Sequence, residues 1–470
     1  MNNNGSMTET QASGEEKSFK RSVLVSTSLT AFTFSFMTSA VNLALPAIGR
    51  EFHASAVELG WITSSYLLSS AALMLIFGRL GDFIGRKKIF STGLLLFTII
   101  TILLAFSRNI TMMIILRVSQ GLSGSMVFST SMAIISSVFK PGERGKSMGI
   151  NLTSVYSGLS LGPVIGGVLT QYLGWRSIFM IIVPFQIVSL LLIKLKVKTE
   201  WTGAASEKFD LKGAIVYGSA LLSFMYGFSN LPAFNGWIFL ASGILLGIVL
   251  IFIERMTANP IFDYRLFITN RVFTFSSIAA LINYMATAAV GFFISLYLQY
   301  LKGFDARTAG MIMISQPAAM AMLAPFSGRL SDRLNPGIIA SIGMGIIFTS
   351  LVLLCFINEN TSVVFLIPLL LMIGMGIGLF TSPNTNAVMS SVEKEYLGLA
   401  SGFVGTMRCI GQVLSMGIAL ILLSFYMGGA PITPSMYPGL VMTIRTGFLI
   451  LAILSAFGIF ASLVGKKRKN

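Results

Sequence analysis

Arg117 stands inside an apolar run, within Arg117-Val-Ser-Gln120-Gly121-Leu-Ser-Gly124. It lies roughly seven residues from the nearer end of that run, about 10 Å deep at 1.5 Å per residue. An arginine held that deep is costly, so it faces a cavity or a partner. Gln120, Gly121 and Gly124 share its helix face. Such a site suits charge recognition or proton movement rather than bond making. The single histidine, His53, and the two cysteines, Cys355 and Cys409, give no metal-ligand spacing and no disulfide framework. Zinc, haem and Ser-His-Asp chemistry are unsupported, no cofactor is expected, and the chain does not read as an enzyme.

A second constellation is Gly78 to Lys88, GRLGDFIGRKK. Gly78, Gly81 and Gly85 allow two helix ends and a tight loop to approach a neighbour closely. Asp82 at a helix end can cap N–H groups, pair with Arg86 or meet a neighbouring helix dipole. Such a charged latch can hold one conformation and release in another. Its core recurs as Gly328-Arg329-Leu330-Ser331-Asp332 with Arg333. The third constellation is Gly158-Leu-Ser-Leu-Gly162-Pro163-Val-Ile-Gly166-Gly167. Pro163 removes a backbone donor and bends a helix, while the glycines make a thin face for close helix packing.

The elements that carry these residues follow from hydropathy. The 470 residues are 54% hydrophobic and only 11% charged, against roughly 25% charged in soluble domains. Many apolar runs reach the roughly 20 residues that cross a bilayer core of about 30 Å. In that core only a helix satisfies its own backbone, so the runs predict an all-α polytopic membrane protein. Spans are expected near 22–46, 58–78, 89–106, 111–139, 148–171, 177–195, 211–229, 236–254, 273–299, 307–327, 337–357, 362–382, 397–425 and 441–464. The net charge of +16 comes from short basic clusters between apolar runs, which argues for positive-inside topology and against nucleic acid. With both termini cytoplasmic, inner loops outweigh outer loops in Lys and Arg by about five to one. An even span count in the cell membrane follows. The repeat divides the chain into a cytoplasmic tail expected to be disordered (1–18), an N-terminal six-helix bundle (19–200), an inserted helical pair (201–258), a C-terminal six-helix bundle (259–465) and a basic tail (466–470). Repeated halves around a central path are a common transporter plan.

GRLGDFIGRKK closely resembles the inner-loop signature of the major facilitator superfamily. The segments at Arg117–Gly124 and Gly158–Gly167 resemble its fourth- and fifth-helix motifs, the latter followed by Trp175-Arg176-Ser-Ile-Phe179. Val41-Asn42-Leu-Ala-Leu45-Pro46, with Tyr297-Leu-Gln299 and Asn259-Pro260, resembles the fourteen-helix drug:proton antiporter branch (QacA/EmrB-like). The resemblance spans nearly the whole chain. It implies two six-helix bundles plus an inserted pair, alternating access, export rather than import, and a proton-coupling role for Arg117 beside a first-helix acid.

The sequence departs from that branch at Met37, which stands where the branch keeps an aspartate. Every other acid falls at a loop or span end. A tight site for a permanent dication is therefore not expected. Arg117 and Arg408 would favour anionic, zwitterionic or neutral amphiphiles. Coupling would fall to Glu58 at a span start, to His53 as a neutral-range titrating group, or be absent. Cavity candidates are Phe36, Met37, Asn42, Tyr66, Tyr156, Tyr284, Tyr297, Gln316 and Asn384, aromatic and flexible surfaces suited to varied apolar ligands. The leading expectation is a monomeric, proton-coupled exporter of small amphiphilic compounds. A lipid or lipid-precursor flippase, and a non-transporting receptor or assembly factor on the same scaffold, are the alternatives.

Overall fold

The computed structural model describes residues 4–139, 141–202, 210–256, 269–331, 333–392, 397–428 and 431–464. Among the described residues, fourteen helices are long and apolar enough to cross a membrane. They are α1 (Asn4–Phe52), α2 (Ala56–Ile84), α3 (Arg86–Ala105), α4 (Ile110–Val138), α5 (Pro141–Leu173), α6 (Arg176–Leu191), α7 (Leu211–Ser229) and α8 (Phe234–Met256), followed by six more. These are α9 (Arg271–Leu301), α10 (Ala306–Ser331), α11 (Pro336–Leu354), α12 (Val363–Met389), α13 (Leu397–Met427) and α14 (Tyr437–Val464). Fourteen spans agree with the hydropathy reading. The first helix begins at Asn4, so part of the segment expected as a disordered tail continues α1.

Local chemistry sets where helices begin and break. His53 ends α1 with a left-handed φ of 51°. Ser55 and Glu58 then form a reciprocal capping box that opens α2. Pro317 has no N–H to give one turn back, and α10 breaks just before it, at Ile314. The α9 helix breaks at Ala288–Ala289. There the Ala289 N–H, freed from the helix ladder, donates to Ser415 Oγ of α13 at 2.9 Å.

Helices α1 to α6 pack on one another, as do α9 to α14. The α5 helix lies against α1 of its own half and α10 of the other; α2 lies against α13. The α7 helix touches both halves. Trp61 of α2 meets Tyr226 at 5.7 Å between ring centroids, while Gly417 of α13 backs onto Phe228 and Ser229. The α7–α8 pair therefore covers the α2–α13 seam, with α8 outside α7 and many of its large side chains exposed, Trp237, Leu245 and Phe252 among them. That is the surface expected of a helix facing lipid.

Contacts between the halves gather toward the end away from the Gly78–Lys88 loop. Ser295 Oγ donates to the Asn42 carbonyl at 2.5 Å, and Gln299 Nε2 to the Leu43 carbonyl at 3.1 Å. Gly60 backs onto Leu420, and Gly167 onto the Ala306 carbonyl. Ser55 and Pro431 pair as an isolated bridge. Met74 Sδ and Cys409 Sγ meet near mid-span at 3.6 Å.

Candidate functional site

About two turns into α4, the N-terminal half holds Arg117 in a ring of neutral partners. The side chain is 1% exposed. Its Nε donates to the Ile62 carbonyl at 2.9 Å, and its Nη1 to Gln120 Oε1 at 2.6 Å. Gln120 in turn donates through Nε2 to Thr101 Oγ1 at 2.9 Å. The guanidinium lies over the Tyr66 ring, 4.5 Å from its centroid. A carbonyl, an amide and an aromatic face thus take the place of a carboxylate. The Ile62 carbonyl sits in α2, where Thr63 and Tyr66 flank the contact.

Met37 is 2% exposed. Phe34, one turn from it on α1, packs where a methyl on Gly124 of α4 would lie 3.1 Å away. Helices α1 and α4 run antiparallel, so Met37 falls near the level of Gln120, about one turn from Arg117. A thioether thus occupies the level where an acid would meet the arginine.

Arg408 of α13 comes from the other half toward the same region. Its guanidinium carbon lies 5.9 Å from the Tyr284 ring centroid on α9. It is close enough to Tyr284, Tyr156 of α5 and Tyr66 of α2 to act on each electrostatically. Its Nε is buried and has no hydrogen-bond partner among the described residues. Tyr66, Tyr156, Tyr284 and Arg408, scattered over more than 340 residues of sequence, therefore come from both halves into one electrostatic neighbourhood, while Arg117 reaches it through Tyr66 from inside the N-terminal half.

The Gly158–Gly167 segment packs closely beside this centre. Methyls on Gly158 and Gly162 would strike the backbone of Phe32 and Phe36 and the Ser39 hydroxyl; one on Gly166 would lie 2.7 Å from the Ala40 Cβ. On its other side the Pro163 carbonyl abuts Gly310, and Gly167 abuts Ala306, both of α10. One helix thus bears on α1 through one glycine row and on the opposite half through a neighbouring one. Phe36 stacks with Phe32 at 6.1 Å. Below this contact, toward the Gly78–Lys88 end, α1 and α5 part around a cleft of about 520 Å³. Leu24, Val25, Leu29, Phe32 and Ile150 line it, with Ser28 and Thr153 as polar points.

The residues of the Gly78–Lys88 segment assemble at the basic end. Asp82 Oδ1 accepts from Arg86 Nε at 2.8 Å. Arg86 continues to Ser137 Oγ at 2.7 Å and the Ala133 carbonyl at 3.4 Å, both of α4. Gly85, at φ 121°, turns the chain between α2 and α3. Gly78 lies near Ser129, 3.5 Å from a methyl built on it. Sequence reading missed Glu200, whose Oε1 accepts from the Lys87 N–H at 2.8 Å and so caps α3; the Trp201 carbonyl accepts from the Arg86 N–H at 3.0 Å. In the second copy of the motif Arg333 is exposed in a turn, and Asn386 Nδ2 donates to Ser331 Oγ at 3.0 Å. Asp332 and the Asn259-Pro260 pair lie outside the described residues.

Other candidates fall elsewhere. His53 is exposed. Glu58 accepts from the Ser55 N–H and hydroxyl, each at 2.8 Å, at the start of α2. Asn42 accepts from Thr63 at 3.4 Å within the seam between the halves. Tyr297 donates to the Asn358 carbonyl at 2.6 Å, in the loop between α11 and α12. Gln316 is half-buried with its carbonyl against Gly374, and Asn384 is buried on α12. At the mouth of α10, Asp305 caps the helix, and its carboxyl is held below the usual carboxylate range by hydrogen bonds from Thr308. Thr101, Met74 and Cys409 join the central region with no prior signal, because a hydroxyl or sulfur in an apolar run shows no orientation.

The Major Facilitator Superfamily family model matches residues 27–416. The chain is 30% identical to the riboflavin transporter RibZ of Clostridioides difficile, over 83% of this chain and 86% of that protein. It is 29% identical to the multidrug resistance protein Stp of Mycobacterium tuberculosis, over 84% and 74% of the respective lengths. Identity is 27% to the tetracenomycin C resistance and export protein of Streptomyces glaucescens, over 83% and 73%.

Proposed function

This chain belongs to the major facilitator superfamily of membrane transporters, and on that premise we propose that it exports small amphiphilic compounds across the cell membrane in exchange for protons. Its termini and the Gly78–Lys88 end are cytoplasmic in this reading, following the basic loops. The observation that carries the proposal is the central meeting of Tyr66, Tyr156, Tyr284 and Arg408 from both halves. It lies beneath a seam that joins Asn42 to Ser295 and Leu43 to Gln299 at the outer end. A ligand there touches both halves, so its binding can bias their rocking. The apolar cleft between α1 and α5 gives an amphiphile a surface to follow. Relatives named for multidrug resistance and for tetracenomycin C export support the direction; one named for riboflavin transport widens the substrates to planar aromatic compounds.

Glu58 is the carboxylate proposed to carry the proton, at the outer start of a helix that lines the site. Purified protein in proteoliposomes with an imposed pH gradient tests this. Substrate-linked proton flux lost in Glu58→Gln supports the reading, since glutamine keeps the capping box. Substrate flux indifferent to the gradient excludes proton coupling. Scrambling of labelled lipid without compound flux replaces export with lipid flipping.

A further inference from the structure

We infer that Arg408 is an anion-binding point, so that the central site selects aromatic amphiphiles carrying a single carboxylate, sulfonate or similarly delocalised negative charge. This rests on the transporter reading above and adds the substrate's charge to it.

Three observations converge. Arg117 and Arg408 both lie within apolar spans, and Arg117 has its Nε and Nη1 engaged by the fold, on Ile62 and Gln120, whereas Arg408 is held through Tyr284. Arg408 keeps a buried Nε with no acceptor among the described residues. A buried donor left unsatisfied is costly, and the cost is recovered when a ligand supplies the acceptor. Beside the Cys409 thiol, the groups around Arg408 are aromatic: Tyr284 at 5.9 Å, with Tyr156 and Tyr66 in electrostatic range. Rings stack on a planar ligand while the guanidinium fork takes its charged edge.

The described carboxylates are all elsewhere. Glu51 binds Arg176, Asp82 binds Arg86, Glu58 and Asp210 cap helices, and Glu200 caps α3. Glu359 sits in an outer loop. A cationic ligand would meet the Arg408 guanidinium, with that of Arg117 behind Tyr66 and no described acid. An anion instead neutralises Arg408. It also links Arg408 of the C-terminal half to Tyr66 and Tyr156 of the N-terminal half, so the charge that is recognised is felt across the moving interface.

Matched acid–amide pairs isolate the charge, because each pair shares one aromatic frame. Radiolabelled 2-naphthoate and 2-naphthamide, with further pairs of larger fused rings, are bound to the full chain in nanodiscs. The acid is expected to bind about tenfold tighter than its amide, the effect of one charge-assisted hydrogen bond. Arg408→Gln should abolish that preference by weakening the acid far more than the amide, and saturable amide binding that survives shows that the variant is folded. Arg408→Lys should keep part of it. Equal binding of acid and amide across all pairs, absence of saturable binding by any acid, or an equal loss of both forms in Arg408→Gln overturns the proposal. Because this assay reads binding without flux, acid-selective binding by a protein that moves nothing in proteoliposomes would instead overturn the transport reading alone.

Discussion

Gln299 of α9 donates to the backbone carbonyl of Leu43 of α1 across the two halves, at 3.1 Å. Two segments 256 residues apart, each singled out by its resemblance to the same branch, are therefore parts of one seam at the end away from the Gly78–Lys88 loop. The hydrogen bond ends on a carbonyl beside Pro46, whose missing N–H leaves the Asn42 carbonyl without a helical donor; Ser295 supplies that donor instead.

Removing this clasp should open the outer end. Gln299→Ala deletes a hydrogen bond worth about 1 kcal/mol, or about fivefold in the closed-to-open ratio. A cysteine placed at Thr63, buried in the seam beside Asn42, should then react severalfold faster with a membrane-impermeant maleimide, in a background lacking Cys355 and Cys409. Unchanged labelling would mean the seam does not depend on this bond.

The glycine face of α5 allows a compensation test. Gly162→Ala drives a methyl into the Ser39 hydroxyl and should cost about 1–3 kcal/mol as overpacking. Adding Ser39→Gly should restore much of the thermal stability and transport. Gly149→Ala on the same helix meets nothing within 4 Å and should be neutral or slightly stabilising in the same melting assay.

Arg117 depends on its neutral partners. Gln120→Leu should destabilise the protein by about 1–3 kcal/mol by stranding a buried donor, while Thr101→Val should cost less because only the amide end of Gln120 loses its acceptor. Thermal unfolding of purified protein ranks the two; a larger effect from Thr101→Val contradicts the assigned chain of donors.

Met37→Asp places a carboxylate within about one turn of Arg117. Export of cationic dyes should rise, and that of anionic compounds fall, by about tenfold, the scale of one charge contact. Equal dye efflux before and after the substitution would separate charge preference from this position.

The basic-end latch should be sensitive to a residue outside its motif. Glu200→Ala removes the acceptor for the Lys87 N–H and should cost about 1 kcal/mol, as loss of a helix cap does. Arg86→Ala removes contacts to Asp82, Ser137 and Ala133 at once and should impair transport more than Glu200→Ala does. Flux and melting temperature measured together distinguish a conformational latch from a simple cap.

Hydropathy alone determined the fourteen helices, because a bilayer admits only segments that pair their own backbone groups, and that demand is written locally in runs such as Ile110–Val138. The repeat of Gly78–Arg86 at Gly328–Arg333, the burial of Arg117 and the thin face at Gly158–Gly167 were legible for the same reason: spacing along a helix fixes which residues share a face and how deep they lie. Which helix that face meets is not local. Only the tertiary structure decided that Arg117 rests on Ile62, Gln120 and Tyr66, that Glu200 reaches back to cap α3, that Glu58 is tied into the start of α2, and that α7 straddles the α2–α13 seam. It alone brought Arg408 to Tyr284, Tyr156 and Tyr66. Such pairings depend on how ridges and grooves of distant helices interlock, a property of the packed bundle that no single stretch of chain contains.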